Sequence, residues 1–221
     1  MTNNALIVDI ECVGIDNAAD YLEPVEAPAN YKNAEAIEKY RAEATAKAID
    51  RCGLDPDLCR TVAVGIGDSE GNDSVLLCRT EQEEAKVLEI LALRLVDVRG
   101  GGMRSVVSFN GFAYDLPVLM RRAQYLGVNF PALSLDRYRS PHIDLMQKLT
   151  WNGAIKAHKL SFYASRFGWP IVDPVDGSRI AELVKAGDWK SVESHCLNDI
   201  RQTRFIAQKL KLIPSAATVA A

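Results

Sequence analysis

The stretch ALIVDIE at residues 5–11 decides the fold class of this chain. It is short, apolar and rich in β-branched residues, which is typical of a buried strand. Alternate side chains of a strand share a face, so the aliphatic residues at even positions are predicted to be buried while Asp9 and Glu11 point together to the other side. Two acids in an apolar strand cost desolvation unless something compensates them, and a hard divalent cation does so most economically. An exposed strand end with two solvated acids is the alternative.

The remaining elements follow from alternation, from helical spacing of apolar residues and from turn residues. The predicted strands are 61–67, 74–78 and 105–109, and the predicted helices are 35–51, 81–95, 116–126, 159–167, one that follows residues 176–177, and 191–212. This order predicts one α/β domain over residues 1–212, with a mixed central β-sheet flanked by α-helices. Residues 16–59 are predicted to be an insertion between the first two strands, and residues 213–221 a flexible tail.

Composition narrows the classes of function. The chain has 221 residues and a net charge of −3, so it is not suited to holding nucleic acid by bulk electrostatics. A nucleic-acid enzyme would need bound cations and a local basic rim instead. No apolar run approaches the roughly 18 residues of a membrane span. The odd number of cysteines and the lack of an export leader favour free thiols and a cytoplasmic location.

Two further groups of polar residues lie far along the chain. Asp115 follows SFNGFAY at a predicted strand–turn–helix junction, where α/β sheets present functional groups. An acid at that position can also simply complement the dipole of the helix that it begins. His195 and Asp199 lie four residues apart in a helical pattern, so they share a face beside a buried stripe. An ordinary pair on a helix surface is the other interpretation.

Taken in order, these three pieces resemble the DEDD superfamily of 3′–5′ exonucleases, which has a ribonuclease-H-like fold. More closely, the chain resembles the group related to the proofreading domain of family B DNA polymerases, which includes stand-alone versions encoded by phages and prophages. The stretches that carry the resemblance, over about residues 5–210, are IVDIECVG, APANYKNAEAIEKYRAEA, RTVAVGIG, SFNGFAYDLPVL, HIDLM, HKLSFYASRFG, DPVDGSRI and SHCLNDIRQT.

The resemblance implies a metal-dependent nuclease. It implies that Asp9, Glu11, Asp115 and Asp199 bind two Mg²⁺ or Mn²⁺ ions and that nucleotides are removed one at a time from a 3′ end, mainly of single-stranded DNA. Two cations roughly 4 Å apart can activate an attacking water and stabilise the leaving 3′ oxygen. Replication or recombination proteins are the implied partners. Trimming of RNA by the same site, and a weakly active protein that binds nucleic-acid ends, stay open as alternatives.

His195 departs from the superfamily pattern. One branch has a tyrosine four residues before the last aspartate and another has a histidine five before it, whereas His195 precedes Asp199 by four. One residue of helix rotates a side chain by about 100°, so the spacing matters. We interpret His195 as the candidate general base or water-orienting group, or alternatively as a substitute that gives a slower enzyme. Tyr114 and His142 lie outside the matching motif and are weaker candidates.

The resemblance also suggests contacts with the substrate. The N-x-x-x-x-D stretch lines the site in the resembling family, so Asn110 and Phe112 are implied to contact the terminal nucleotide, although an Asn-Gly turn would explain Asn110 equally well. Lys159 lies in a basic cluster with Lys156, His158 and Arg166, which could contact phosphates or form a solvated face.

Three other residues near these motifs receive supporting roles. Phe162 and Tyr163 could stack a base, but packing in the helix core is the expected role of at least one of them. Asp144 in HIDLM is a candidate for a fifth acid of the site, but a structural or supporting role is predicted for it instead.

Overall fold

The computed structural model describes residues 4–97, 101–170 and 173–215. Its strands are β1 (Leu6–Gly14), β2 (Cys59–Gly67), β3 (Ser74–Leu77), β4 (Val96–Asp97), β5 (Gly102–Met103), β6 (Val106–Ser108) and β7 (Ile143–Asp144). Its helices are α1 (Ala34–Arg51), α2 (Glu81–Leu95), α3 (Asp115–Tyr125), α4 (Leu145–Leu149), α5 (Leu160–Arg166), α6 (Ile180–Ala186) and α7 (Trp189–Lys209). Short 3₁₀ turns occupy Ala18–Tyr21, Cys52–Leu54 and Gly177–Arg179.

The central sheet is mixed and has the strand order β3-β2-β1-β6-β7. Strand β2 runs antiparallel to β1 and β3, whereas β6 is parallel to both β1 and β7. Pairing of β1 with β6 ends at Ile7 and Val107. The following part of β1, which carries Asp9 and Glu11, therefore pairs with β2 but extends beyond the end of β6. This arrangement leaves space beside the two acids at the carboxyl end of the parallel strands.

Different helices cover the two faces of the sheet. The aliphatic residues at the even positions of β1 lie in one core with residues of α2 and α3, as predicted. On the opposite face, Ile7 lies in a second core with α5 and α7, and Val13 lies in a third core with α6 and α7. Asp9 and Glu11 lie between Ile7 and Val13 on that face. The two acids therefore interrupt an apolar stripe that faces α7.

Helix α7 approaches the sheet closely because β2 has a glycine beneath it. A Cβ atom at Gly65 would lie 2.6 Å from Cγ1 of Ile200 and 2.8 Å from the sulfur of Cys196. Any larger residue there would push the helix outward. The close approach places the face of α7 that carries His195 and Asp199 over β1.

The predicted α/β class and the mixed sheet with flanking helices are confirmed. The ends of the predicted strands and helices differ from the observed ones by at most three residues. The antiparallel strands β4 and β5, strand β7 and helix α4 were not predicted. Two-residue strands and a five-residue helix are too short to produce a recognisable period of hydrophobicity.

The segment between β1 and β2 carries helix α1, which has no buried residue. Asn33 caps the helix by accepting a hydrogen bond from the N–H of Ala36 at 3.2 Å. The chain returns to the sheet at Cys52–Leu54, where Cys52 is buried against Gly14. None of the helices in the described ranges has the length and apolar character needed to cross a bilayer.

The C-terminal end of the described chain is tied to the second core. Ile213, the first residue of the predicted tail, is buried there. The carbonyl of Pro214 accepts a hydrogen bond from Nε2 of Gln208 at 3.1 Å. Packing therefore extends into the start of the predicted tail, and residues 216–221 lie outside the described residues.

Candidate active site

Three elements bring the predicted acidic residues to one place. Strand β1 contributes Asp9 and Glu11, helix α3 begins with Asp115, and helix α7 contributes Asp199. Asp9, Asp115 and Asp199 line a cavity of about 650 Å³. Glu11 and Asp199 line an adjoining larger cavity of about 1340 Å³. Asp199 and Lys159 belong to the linings of both cavities, so the four acids surround one continuous region of the surface.

These carboxyl groups are crowded and largely removed from water. Burial and the charge of Asp199 are the main causes that raise the pKa values of Asp9 and Glu11 well above their ordinary range. Burial also raises the pKa of Asp115 to about 7, against hydrogen bonds from the backbone of Asp115 and Ile10. Burial raises the pKa of Asp199 to about 6, with the charge of His195 opposing the shift. The fold therefore holds these acids together against their mutual repulsion.

The side chain of Asp9 indicates what compensates this repulsion. Its Oδ2 atom is buried and has no hydrogen-bond partner among the residues that the structure describes. A buried polar atom without a partner is costly. Ligand atoms of Asp9, Glu11 and Cys196 lie within 4.8 Å of one another, as do those of Glu11, His195 and Asp199. A set dominated by carboxylate oxygens fits hard divalent cations such as Mg²⁺ and Mn²⁺.

We expect Mg²⁺ to raise the unfolding temperature more at about pH 8 than at about pH 5. Because the folded-state pKa values of Asp115 and Asp199 are raised to about 7 and about 6, the folded chain binds more protons than the unfolded chain below these values. Without metal, the stability that these groups give to the folded chain is therefore lost as the pH rises through these pKa values. A cation binds the ionised carboxylates, so the increase in the free energy of unfolding that it causes grows over the same pH range.

Thermal unfolding in EDTA and in excess Mg²⁺ at both pH values measures this effect. At about a hundredfold excess over Kd, the rise should be roughly 5–10 °C at the higher pH. A doubly substituted Asp9→Asn, Asp199→Asn chain is the control, and it should respond little at either pH. Equal shifts of the wild-type chain at both pH values would contradict the expectation.

The turn between β6 and α3 positions Asp115. Asn110 has a left-handed backbone with φ of 64°, a conformation that asparagine tolerates better than most residues. A Cβ atom at Gly111 would lie 2.0 Å from Oγ of Ser108, so only glycine fits there. The NG pair thus forms the predicted turn, and the sharp reversal places Asp115 at the start of α3 beside β1.

Asp144 holds this turn in place. Its Oδ1 accepts the backbone N–H of Asn110 at 3.0 Å, and its Oδ2 accepts that of Phe112 at 3.2 Å. Oδ1 also caps α4 by accepting from the N–H groups of Met146 and Gln147. Both oxygens are occupied by backbone donors, which is the structural role that was predicted for Asp144.

His195 lies directly beside the acids. Its Nε2 atom is 3.6 Å from Oε1 of Glu11 and 4.0 Å from Oδ2 of Asp199. Its Nδ1 atom is 2.7 Å from Oδ2 of Asp173. The four-residue spacing thus places His195 and Asp199 on the same face of α7, and this face points to the acidic cluster and not to solvent.

Three polar residues near the site were not predicted. Asp173 contacts His195, and Asn198 donates from Nδ2 to Oδ2 of Asp173 at 3.0 Å. Gln202 donates from Nε2 to Oδ1 of Asp199 at 3.4 Å. Asp173 lies in the stretch DPVDGSRI, so the family resemblance was the one signal that could have found it. The other two share α7 with the predicted pair, but helical spacing alone does not show which side chains they contact.

Two of the three predicted substrate contacts line the first cavity. They are Asn110 and Lys159, and Nζ of Lys159 forms an exposed ion pair of 3.0 Å with Asp176. The side chain of Phe112 does not line this cavity. It is 9% exposed and packs in the first core, and it lines neither of the two cavities formed by the described residues. Its contact with a nucleotide stays a prediction.

An aromatic pair adjoins the first cavity, whose lining includes His158 but not Phe162. The rings of His158 and Phe162 are stacked, with centroids 4.1 Å apart and an interplanar angle of 21°. Phe162 is 44% exposed, whereas Tyr163 packs against the second core, as expected of at least one of these two residues. The exposed ring of Phe162 is therefore the one available for stacking.

The two weaker candidates for positioning water have structural partners. The hydroxyl of Tyr114 donates to the carbonyl of Gly53, where the chain returns from α1. Nδ1 of His142 accepts the backbone N–H of Val106 at 3.0 Å, and His142 is buried. His195, whose Nε2 faces the acids, remains the better candidate.

Comparison with known proteins relates this arrangement to a family. Residues 54–218 match the sequence model of a family described as predicted 3′–5′ exonucleases related to the exonuclease domain of PolB. The matched region contains Asp115, His195 and Asp199 but begins after β1, so Asp9 and Glu11 lie outside it. No curated protein matches the chain.

The fold is similar to that of a solved polymerase. The family B DNA polymerase from the hyperthermophilic archaeon Pyrobaculum calidifontis matches 93% of this chain with a TM-score of 0.57 and 18% sequence identity. The chain spans 24% of the length of that polymerase, and at this identity the similarity shows the fold alone. The predicted resemblance and the ribonuclease-H-like fold are thus confirmed. The chain belongs to the family of predicted 3′–5′ exonucleases related to the exonuclease domain of PolB.

Proposed function

We propose that this chain is a metal-dependent 3′–5′ exonuclease that hydrolyses phosphodiester bonds at the 3′ end of single-stranded DNA and releases nucleoside monophosphates. The observation that carries the proposal is the convergence of Asp9, Glu11, Asp115 and Asp199, with a buried oxygen of Asp9 that has no partner among the described residues. Membership of a family of predicted 3′–5′ exonucleases supports the class of reaction.

The four acids have the chemistry to hold two Mg²⁺ or Mn²⁺ ions. When bound, such ions lower the pKa of an attacking water and stabilise charge on the leaving 3′ oxygen. His195 would accept the proton of the water at Nε2, the ring atom that faces Glu11 and Asp199. Gln202 restrains Oδ1 of Asp199 by its hydrogen bond, which keeps Oδ2 directed toward His195.

The rim of the first cavity would hold the end of the strand. A cavity of about 650 Å³ is large enough for one nucleotide. Lys159 is exposed at its edge and could exchange its ion pair with Asp176 for a phosphate. Phe162 offers a partly exposed ring on which a base could stack. Because the net charge is −3, affinity would depend on these terminal contacts and on bound cations, not on broad contacts with a duplex.

Matched DNA and RNA oligonucleotides of one sequence test the proposal. With Mg²⁺ or Mn²⁺, a 3′ label on DNA should appear at once in mononucleotides, while a 5′ label should stay on a ladder of shortening products. EDTA should prevent both the release of the 3′ label and the shortening of the 5′-labelled strand. Digestion of RNA but not DNA would favour the RNA-trimming alternative. Binding of 3′ ends without release of nucleotides would favour the non-enzymatic one.

The proposal places the protein in the cytoplasm, with replication or recombination proteins as its partners. All five cysteines are free in the structure, and four of them are buried. Free thiols are typical of a reducing compartment. Co-purification of replication or recombination proteins with the intact chain would test the choice of partners.

A further inference from the structure

We propose that Asp173 is a positioning residue that fixes the ring of His195 so that Nε2 presents a lone pair to the acidic cluster. This inference rests on the proposed function, because it concerns how the candidate base is prepared. Oδ2 of Asp173 lies 2.7 Å from Nδ1 of His195, and the histidine is only 7% exposed. The contact joins a segment outside the predicted site to a histidine whose Nε2 lies beside Glu11 and Asp199.

The hydrogen bonds of Asp173 determine which ring nitrogen of His195 carries the hydrogen. Its Oδ1 accepts the backbone N–H of Val175 at 2.8 Å, and its Oδ2 accepts from Nδ2 of Asn198 at 3.0 Å. An ionised carboxylate has no hydrogen to donate, so we infer that Nδ1 of His195 donates its N–H to Oδ2 across this short contact. In a neutral imidazole, a hydrogen on Nδ1 leaves Nε2 without one. The bare nitrogen is the one near Glu11.

The segment that carries Asp173 also passes beside the second nitrogen of the ring, at Gly177. A Cβ atom at Gly177 would lie 3.3 Å from Nε2 of His195, so a side chain there would crowd this nitrogen. Val175, between these two positions, packs against the third core and anchors the segment. Asp173 therefore fixes the ring at Nδ1, while Gly177 leaves space beside Nε2, where a water must approach.

This arrangement explains how a histidine can function at a position where one branch of the superfamily has tyrosine. A tyrosine side chain carries a single polar atom, the hydroxyl oxygen at its tip. Orienting its ring is therefore enough to direct that atom toward the attacking water. A histidine has two nitrogens, and a partner must select which one carries the hydrogen. Asp173 supplies that selection, and Asn198 on the same face of α7 holds Asp173 in place.

Asp173→Asn tests the inference by kinetics. The amide can donate as well as accept, so it no longer imposes the hydrogen on Nδ1. We expect kcat to fall by about 10–100-fold with little change in KM. In a His195→Ala background the same substitution should cause almost no further loss, because residues that act through one another are not additive. An unchanged kcat, or a full additional loss in that background, would overturn the proposal.

Glu193→Gln is the matched control, because it removes one negative charge from an exposed position of α7. It should leave kcat unchanged. A comparable loss in this variant would mean that the general charge of the helix, and not the contact with His195, sets the rate, which would also overturn the proposal.

Nitrogen NMR of the histidine rings gives a readout that does not depend on activity. The chain has three histidines, so the His195→Ala spectrum identifies the signal by subtraction. At a pH where the ring is neutral, the wild-type chain should show a protonated Nδ1 and a bare Nε2, and Asp173→Asn should shift the hydrogen toward Nε2. A wild-type ring with its hydrogen on Nε2 would refute the inference even if the variant does not fold. Failure of the wild-type chain to release nucleotides would instead refute the proposed function and leave this measurement valid.

Discussion

Replacing Asp9 by alanine is expected to abolish nucleotide release, with a loss of about 10³-fold or more in kcat/KM. Asp9 is one of the four acids that we propose as metal ligands, and its buried Oδ2 has no hydrogen-bond partner within the described part of the chain. Without this carboxylate, the proposed cations would lose one of their ligands. Asp199→Ala should behave in the same way, because Asp199 lines both cavities.

The same variant should remain folded, which separates loss of chemistry from loss of structure. Burial and neighbouring charges raise the pKa of Asp9, so removing its carboxyl group relieves repulsion in the metal-free chain. Thermal unfolding in EDTA should therefore show a midpoint no lower than that of the wild-type chain. Asp16→Ala, at an exposed position shortly after β1, is the control and should keep full activity. Wild-type rates in Asp9→Ala would remove this residue from the site.

Replacing His195 by alanine is expected to lower kcat by about 10²–10⁴-fold, the range for loss of a positioned general base. The reason is the direction of Nε2, which lies 3.6 Å from Glu11 and 4.0 Å from Asp199 and so faces the region where water would be activated. Steady-state digestion of a labelled DNA oligonucleotide in Mg²⁺ measures the loss. Metal binding, followed by the Mg²⁺-dependent rise in unfolding temperature, should largely persist.

Two companion variants make this experiment decisive. His195→Gln keeps a polar side chain but no basic ring, so it should be about as slow as the alanine variant. His195→Tyr places the residue of one superfamily branch at the same spacing. A His195→Tyr variant that is faster than the wild-type chain would show that histidine is not the most active residue at this position. An alanine variant with the wild-type rate would assign His195 to the scaffold only.

Strand and helix periodicity predicted much of this site. Alternation along β1 predicts that Asp9 and Glu11 share a face, and the four-residue spacing predicts the same for His195 and Asp199. Their convergence with Asp115 could not be calculated from either pattern, because it depends on how α7 packs on the sheet. The resemblance to a known superfamily supplied that step, and the common cavities agree with it.

Side-chain directions in loops were the part that sequence could not predict. Phe112 lies in a motif that lines the site in the resembling family, but the N–H held by Asp144 belongs to a turn that directs its ring into the first core. Asp173 lies in a segment without periodicity, and its importance appears only through its contact with His195. Backbone turns of this kind depend on tertiary hydrogen bonds that no local pattern encodes.

Helix α1 contrasts with the rest of the fold. None of its eighteen residues is buried, although its last turn approaches β1 and its Asp50 lines the larger cavity. The turn that follows it, Cys52–Leu54, packs on β1, and the carbonyl of Gly53 there accepts a hydrogen bond from the hydroxyl of Tyr114. We therefore expect the proposed hydrolysis to be insensitive to changes in the first turns of α1, at the opposite end of the helix from Asp50. A dye or a biotin attached there would allow the protein to be immobilised, so that digestion of individual DNA strands could be followed by microscopy without obstructing the cleft.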